Sequence, residues 1–150
     1  MRIVIQRVRR ASVSIGGAVR SSIGRGLLIL VGVEQGDGPE DVKWLEGKTA
    51  GLRIFDDENG VMNLSINDIQ GEALCISQFT LTASTRKGNR PSYIRAAGHE
   101  TAVPLYEEYC RELEEALGRP CGTGVFGADM QVELINDGPV TIIIDSRIRE

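Results

Sequence analysis

A continuous apolar run from Leu27 to Val33 limits the folds open to this chain of 150 residues more than any other feature. The run is too short for a typical helix and is rich in β-branched residues, so it predicts a β-strand that is covered on both faces. Such a strand lies inside a sheet. We therefore expect it to be the central strand of the domain.

The segment before this run has the pattern of a β-meander. Residues 2–8 and 11–15 alternate apolar and polar side chains, as half-buried strands do. Gly16-Gly17, between Ile15 and Ala18, is typical of a hairpin turn. The chain therefore begins with antiparallel strands that lead towards the central one.

Two helices are predicted farther along the chain. Apolar residues recur at helical spacing over about 39–53, and Pro39 occupies a first helical position. A second helix over about 101–117 has an apolar face opposite a Glu-rich one, and Gly118 follows its end. The mixture of strands and helices predicts an α/β domain.

The length and composition predict one domain over residues 1–150. Apolar residues make up 41% of the chain, and no segment approaches the ~18 uninterrupted apolar residues that a membrane helix needs. The N-terminal residues alternate too early, and carry arginines too deep, to form a signal peptide. We expect a soluble, cytoplasmic protein with no membrane partner.

The cysteines and the single histidine do not have the pattern of a metal site. Cys75, Cys110 and Cys121 include no Cys-x-x-Cys pair, and His99 alone does not complete a tetrahedral zinc set with them. Cys75 lies in an apolar strand, where a buried, inert thiol is commoner than a nucleophile. We expect reduced thiols, an exposed and non-catalytic His99, and neither a metal nor another cofactor.

The formal net charge of −4 conceals an uneven distribution. No Asp or Glu precedes Glu34, whereas that first stretch is rich in arginine. Acidic residues concentrate in the second predicted helix. A second basic group, in and after a loop over 85–93, consists of Arg86, Lys87, Arg90 and Arg95. The pattern permits a local basic face suited to phosphate contact, although a solvated surface of mixed sign has the same pattern.

A strand predicted over 72–81 ends in polar residues. Ser77, Gln78 and Thr80 follow a buried apolar stretch, and functional sites are commonly assembled at strand ends. The same polar groups are equally suited to satisfying the strand's own edge. The residues alone leave both interpretations open.

Near the C-terminus, Asn136-Asp137-Gly138-Pro139 separates two apolar runs, 130–135 and 140–144. Asn, Asp and Gly tolerate left-handed backbone conformations, and Pro fixes φ and lacks an N–H donor. Such residues usually form turns. The local pattern therefore predicts a connection between two strands.

Five stretches along the chain form a recognisable set. They are Arg2–Val8, Ser77–Leu81, Lys87–Ser92, Phe126–Met130 and Asn136–Thr141. In this order they resemble the D-aminoacyl-tRNA deacylase family, and the match runs essentially from end to end. The one mild departure is Tyr93, at a place where the family often has Phe. Each string is weakly specific by itself, but the five together are strongly so.

The resemblance implies hydrolysis of the ester that joins a D-amino acid, or glycine, to the terminal ribose of tRNA. The products are free amino acid and reusable tRNA, so the reaction is a proofreading step that enforces homochirality in translation. The implied partners are D-aminoacyl-tRNA and glycyl-tRNA. The implied assembly is a homodimer, and the implied fold is a single three-layer α/β/β domain with mostly antiparallel, barrel-like β-sheets and two main helices.

The resemblance assigns the chiral filter to Gly138 and Pro139. In the family, a cis Gly-Pro peptide projects into the active site of the opposite subunit. Its carbonyls are suited to accept hydrogen bonds from the substrate ammonium, and its backbone leaves no room for an L side chain. Glycine, which has no side chain to exclude, is expected to pass. Arg7 matches the arginine that braces this motif, and a surface ion pair is its alternative role.

The resemblance also assigns the other wall of the site. The residues matched to the catalytic wall are Ser77, Gln78, Phe79 and Thr80. Backbone N–H groups there are suited to polarise the ester carbonyl, as an oxyanion hole does. Phe126 and Met130 match residues that hold the terminal adenine, although as sequence features alone both are ordinary core residues.

Two mechanisms and two non-enzymatic functions stay open. Thr80 is a candidate nucleophile, but no base is evident beside it in the sequence, so we favour attack by water assisted by the 2′-hydroxyl of the tRNA. A nucleic-acid-binding module without catalysis fits the uneven charge, since related chains in animals have been linked to DNA-unwinding elements. A structural dimer with a vestigial site is the third possibility.

Overall fold

A computed structural model describes all of residues 1–150 and has a mixed α/β fold. The strands are β1 (Arg2–Ile15), β2 (Ala18–Ile23), β3 (Gly26–Gly32), β4 (Phe55–Asp56), β5 (Met62–Leu64), β6 (Glu72–Ser77), β7 (Gly122–Thr123) and β8 (Gln131–Asp145). The helices are α1 (Pro39–Gly51) and α2 (His99–Leu117), and a short 3₁₀ turn covers Phe79–Thr82.

Strand β1 organises the six-stranded main sheet. One edge of β1 pairs with β3 along its first half and with β2 along its second half, and the other edge pairs with β8. These pairs are antiparallel, whereas β6 and then β7 extend the sheet from β3 through parallel pairs. Because β2 also contacts β6 and β7, the sheet curls into a nearly closed, barrel-like form.

Strand β3 is the predicted central strand and is buried on both faces. Leu27, Ile29 and Val31 belong to the main core cluster, which also contains the apolar faces of α1 and α2. Leu28 belongs to a smaller cluster inside the curled sheet, together with Leu74. The helices form one layer and the curled sheet supplies the others, so the predicted α/β/β architecture is confirmed.

The two helices follow their predicted boundaries closely. Helix α1 begins at Pro39, and α2 is followed by Gly118, whose φ of +69° is the left-handed value common at helix ends. The helices pack against each other, and the buried hydroxyls of Thr49 and Tyr109 form a hydrogen bond of 2.7 Å between them. No helix is both long and apolar enough to cross a membrane.

The strand predicted over 72–81 is wrong in its last four residues. Strand β6 ends at Ser77, and the backbone leaves the sheet at Gln78. The Thr82 hydroxyl donates a hydrogen bond of 2.8 Å to the Phe79 carbonyl and stabilises the 3₁₀ turn that follows. The polar residues therefore lie in a turn at the carboxyl end of a buried parallel strand, where α/β proteins commonly place their sites.

The Asn-Asp-Gly-Pro segment does not connect two strands, so the local turn prediction is also wrong. Its flanks both belong to β8 and both pair with β1. Between the pairs Gln6–Thr141 and Val8–Asn136, strand β8 has four residues where β1 has only Arg7. The extra residues bulge outward from an edge strand, and we call residues 137–140 the β8 bulge.

Candidate active site

A cavity of about 580 Å³ opens at the ends of β3 and β6, beside the start of α2. It brings together five of the residues predicted from the sequence, namely Ser77, Gln78, Phe79, Phe126 and Met130. Other lining residues, which sequence reasoning did not assign to a site, include Val33, Ala97, His99, Asp129 and Val132. The lining is mostly apolar with a few polar groups, which is the usual composition of a small-molecule site.

The wall made by Ser77, Gln78 and Phe79 is held in place by two hydrogen bonds, and Thr80, which follows it, does not line the cavity. The Gln78 N–H donates to the Val31 carbonyl at 2.7 Å, which ties the turn to the central strand. The Gln78 side-chain amide donates to the Thr80 hydroxyl. Phe79 and Thr80 open the 3₁₀ turn, and the first N–H groups of such a turn have no partner within it. These two N–H groups therefore have no acceptor within the turn.

The opposite wall is formed by Phe126 and Met130. The Phe126 ring contacts the His99 ring edge to face, at 5.2 Å between centroids, and the Tyr106 ring at 6.0 Å. The absence of a side chain at Gly124 makes room for the Met130 sulfur, which a β-carbon there would overlap. This wall offers an aromatic ring and a thioether to a planar group.

His99 is exposed, as expected, but it also lines the cavity against Phe126. Its position depends on how the first turn of α2 packs on residues 126–130, which no local pattern reports. The only sequence signal was its place at the start of a helix, immediately before Glu100.

Two ionisable groups behind the cavity, the Tyr106 hydroxyl and the Cys75 thiol, are protonated at neutral pH. The Tyr106 hydroxyl donates a hydrogen bond of 2.8 Å to the Cys75 carbonyl, and burial raises the pKa of Tyr106 far above its usual range. Hydrogen bonding with the Cys110 and Cys121 thiols, and then burial, raises the pKa of the Cys75 thiol. Cys75 is buried, as predicted, and it is not an activated nucleophile.

The β8 bulge places Gly138 and Pro139 on the surface, apart from the cavity of the same chain. The peptide bond between them is cis, and Gly138 has a φ of +127°. A β-carbon at Gly138 would lie 2.8 Å from Arg7 Nη2 and 3.0 Å from Val140 Cγ2. Only glycine fits this position without a shift of its neighbours.

Arg7 braces the β8 bulge from beneath. Its Nε donates to the Asp137 carbonyl at 3.0 Å, and its Nη1 donates to the Ile54 carbonyl at 2.6 Å. Nη1 also lies 3.3 Å from Asp56 Oδ1. Arg7 is only 8% exposed, so its ion pair with Asp56 joins a buried guanidinium to a partly exposed carboxylate and accompanies the bonds that brace the bulge.

Asn136 holds the bulge from the side, a role that sequence reasoning missed. Its Oδ1 accepts a hydrogen bond of 3.1 Å from the Val140 N–H, and its Nδ2 donates to Thr141 Oγ1 at 3.0 Å. The side chain thereby bridges the bulge from one end to the other. An Asn placed directly before Asp-Gly-Pro was the available signal, since Asn side chains often bond to nearby backbone.

Comparison with known proteins identifies the family of the chain. The family described as D-Tyr-tRNA(Tyr) deacylase matches residues 4–145 of the chain. The chain belongs to the D-aminoacyl-tRNA deacylase family. It is 64% identical to a D-aminoacyl-tRNA deacylase of Bacteroides thetaiotaomicron, and the match covers 100% of both chains. The resemblance predicted from the five sequence stretches is thus confirmed, and the chain is assigned to a family of hydrolases.

Two solved structures share the deacylase fold. A protein described as the c-Myc DNA Unwinding Element Binding Protein has a TM-score of 0.91 and 40% identity, with 97% of this chain and 98% of that chain covered. A probable eukaryotic D-amino acid tRNA deacylase has a TM-score of 0.81 and 16% identity, with 95% and 97% covered. The second likeness shows the fold alone.

Proposed function

We propose that the protein hydrolyses the ester bond of D-aminoacyl-tRNA and of glycyl-tRNA, and that Gly138 and Pro139 of one subunit select the substrate in the cavity of another. Membership of the deacylase family supports the reaction. The observation that supports the selection is the position of the β8 bulge, which is braced by hydrogen bonds, exposed at Gly138 and Pro139, and outside the cavity of its own chain.

The cavity suits an aminoacyl ester of a terminal adenosine. Its volume of about 580 Å³ lies within the usual range for small-molecule sites. Phe126 and Met130 offer a ring face and a polarisable sulfur to the adenine, and base stacking on an aromatic ring contributes roughly 1–3 kcal/mol. With the adenine on this wall, the ester linkage reaches the turn that begins at Phe79.

The protein supplies electrostatic stabilisation rather than a nucleophile. In this proposal the N–H groups of Phe79 and Thr80, at the start of the 3₁₀ turn, donate to the oxyanion that forms when the ester carbonyl is attacked. The Thr80 hydroxyl is bonded to the Gln78 amide, which is not a base, so Thr80 has no partner that removes its proton. Water is therefore the attacking group, and the 2′-hydroxyl of the tRNA assists it.

The chiral filter needs a second copy of the chain. Gly138 and Pro139 project from an edge strand, so a symmetric dimer is able to insert each bulge into the cavity of the other subunit. There the backbone carbonyls accept hydrogen bonds from the ammonium of the substrate. The braced backbone leaves no space for an L side chain, whereas glycine passes.

The direct test uses purified protein with D-tyrosyl-tRNA, L-tyrosyl-tRNA and glycyl-tRNA in parallel. We expect release of D-tyrosine and glycine and retention of L-tyrosine. Equal hydrolysis of D- and L-tyrosyl-tRNA would contradict the filter. Sedimentation of the active species tests the assembly, since a monomer with full activity would contradict the cross-subunit arrangement.

A second candidate function is nucleic-acid binding without hydrolysis. It is favoured by the likeness to the c-Myc DNA Unwinding Element Binding Protein and by the basic residues of the chain. A binding module of this kind releases neither amino acid in the same assay but retains affinity for nucleic acid that falls with salt. A structural dimer with a vestigial site shows neither property.

A further inference from the structure

A basic loop beside the cavity takes no part in the two walls or the β8 bulge. We call residues 85–95 the basic loop, and every one of them is exposed. No Asp or Glu occurs between Glu72 and Glu100, so the charge of the loop is not balanced within this part of the sequence. Arg95 donates to the Thr82 carbonyl at 3.2 Å, whereas Arg86, Lys87 and Arg90 bond to no other group.

The base of the loop is fixed to the rest of the fold. Ser84 and Ser92 exchange two backbone hydrogen bonds of 2.9 Å, which close the loop. Gln35 donates from its side chain to the Ile94 carbonyl and from its N–H to the Arg95 carbonyl, each at 2.9 Å. The cations at the tip therefore stand at a defined place relative to the cavity.

Exposed aromatic rings link the cavity to this loop. Phe79 lines the cavity and also contacts Tyr93 of the loop, edge to face, at 5.0 Å between ring centroids. Phe79 is 54% exposed and Tyr93 is 38% exposed, so both rings present area to a ligand. Exposed aromatic rings followed by unpaired cations are the combination by which proteins bind single-stranded nucleic acid.

We infer that the basic loop binds the acceptor end of the tRNA, with Lys87 and Arg90 on backbone phosphates and Tyr93 against a base that precedes the terminal adenosine. This inference rests on the proposed function, which places that adenosine in the cavity. Between the closing pair Ser84–Ser92 and the tip, the chain has three to four residues on each side, which span at most ~10–13 Å. That reach corresponds to about three or four stacked nucleotides at ~3.4 Å each. The tip thus lies where the strand leaving the cavity carries its next phosphates.

The test compares two variants that each remove two positive charges. Lys87→Gln/Arg90→Gln alters the loop, and Lys43→Gln/Lys48→Gln alters helix α1 as the matched control. Each variant is assayed on D-tyrosyl-tRNA and on D-tyrosyl-adenosine, which has the ester but no phosphates. We expect the loop variant to raise KM for the tRNA about tenfold and to leave the rate on D-tyrosyl-adenosine unchanged. The control should match the parent on both substrates.

Salt dependence gives a second readout. Loss of two phosphate contacts should reduce the slope of log affinity against log salt by roughly 1.4–1.8. The slope is measured with deacylated tRNA, so it reports on the loop whether or not the protein hydrolyses esters. Tyr93→Phe should retain the parent affinity, whereas Tyr93→Ala should weaken it.

The outcomes separate this inference from the proposed function. If the parent hydrolyses neither substrate, the proposed function fails, and the affinity for deacylated tRNA still decides the role of the loop. If the loop variant matches the helix control on tRNA, the inference is overturned. Equal loss on tRNA and on D-tyrosyl-adenosine also overturns it, because the loop then supports the cavity rather than binding RNA.

Discussion

The cavity and the β8 bulge differ in shape and in construction, since the cavity is lined mostly by apolar side chains, whereas the bulge is a projection of the main chain. The cavity lies at the end of a buried parallel strand, and the bulge belongs to an exposed edge strand. The bulge is held by the side chains of Arg7 and Asn136, whereas the turn beside the cavity is held by the hydrogen bond from Gln78 to Val31. In a single chain the bulge does not line the cavity, so the proposed site is complete only in an assembly.

The largest loss of activity is expected from a substitution in the β8 bulge. In Gly138→Ala the new β-carbon meets Arg7 Nη2 and Val140 Cγ2, and alanine rarely adopts a φ of +127°. Displacement of the carbonyls by about 1 Å should lower kcat/KM for D-tyrosyl-tRNA roughly 100-fold. Gly60→Ala is the control, since Gly60 also has a positive φ but lies in open space. Unchanged rate and chirality in Gly138→Ala would show that the bulge is only structural.

A smaller effect is expected from the brace. Arg7→Lys keeps the charge but loses the planar fork that reaches the Asp137 and Ile54 carbonyls together. We expect a roughly tenfold lower kcat/KM and more hydrolysis of L-tyrosyl-tRNA, in line with the ~1–3 kcal/mol of a lost buried hydrogen bond. Arg10→Lys alters an exposed pair on the same strand and should behave as the parent. Equal kcat/KM and equal hydrolysis of L-tyrosyl-tRNA in the two variants would show that Arg7 does not support the filter.

On the cavity side, Thr80→Ala should retain substantial turnover. The variant loses the hydroxyl that bonds to Gln78 but keeps the backbone N–H that the proposal uses. Steady-state kinetics on D-tyrosyl-tRNA should therefore differ from the parent by only about threefold, which is less than a typical loss of a buried hydrogen bond. Loss of activity, with an acyl-threonine trapped in the parent and detected by mass spectrometry, would assign the nucleophile to Thr80.

The smallest expected effect is on the stability of the fold and comes from Asp145, at the end of β8. Burial opposes ionisation of Asp145, but hydrogen bonds from the Arg147 N–H and from Arg2, together with the Arg2 charge, lower its pKa in the folded protein. A lowered folded-state pKa stabilises the fold above the pKa of the unfolded chain, and this stability is lost as the pH falls below about 4.

We expect Asp145→Asn to be less stable at pH 7 by about 1 kcal/mol or less, and less sensitive to acid than the parent. Urea unfolding between pH 7 and pH 3 measures both properties. Glu133→Gln, which alters an exposed ion pair on the same strand, is the control. The same acid dependence in the parent and in Asp145→Asn would exclude this contribution.

The features that the sequence predicted correctly depend on local patterns. The central strand, both helices and the left-handed Gly118 follow from periodicity and end signals within a few residues. The resemblance also located Arg7 and the Gly-Pro peptide. Residue patterns alone predicted a turn at residues 136–139. The prediction was wrong because the same residue types occur in turns and in bulges.

The features that the sequence did not predict depend on distant neighbours. The bulge exists because β8 keeps pairing with β1 on both sides of Arg7, a residue about 130 positions away along the chain. His99 and Asp129 line the cavity because α2 packs beside residues 126–130. Strand β6 ends at Ser77 because the backbone turns into the 3₁₀ segment directly after the bond of Gln78 to Val31 on another strand.

The pairing of β1 with β8 also determines when the main sheet is completed during synthesis of the chain. Strand β1 is made well before its partner along one whole edge, which begins at Gln131. At ~5–20 residues per second, roughly 6–25 s separate the two strands on the ribosome. During that interval β1 has an unpaired edge, which other strands are able to join. The bulge and its bonds to Arg7 do not exist until β8 has been made.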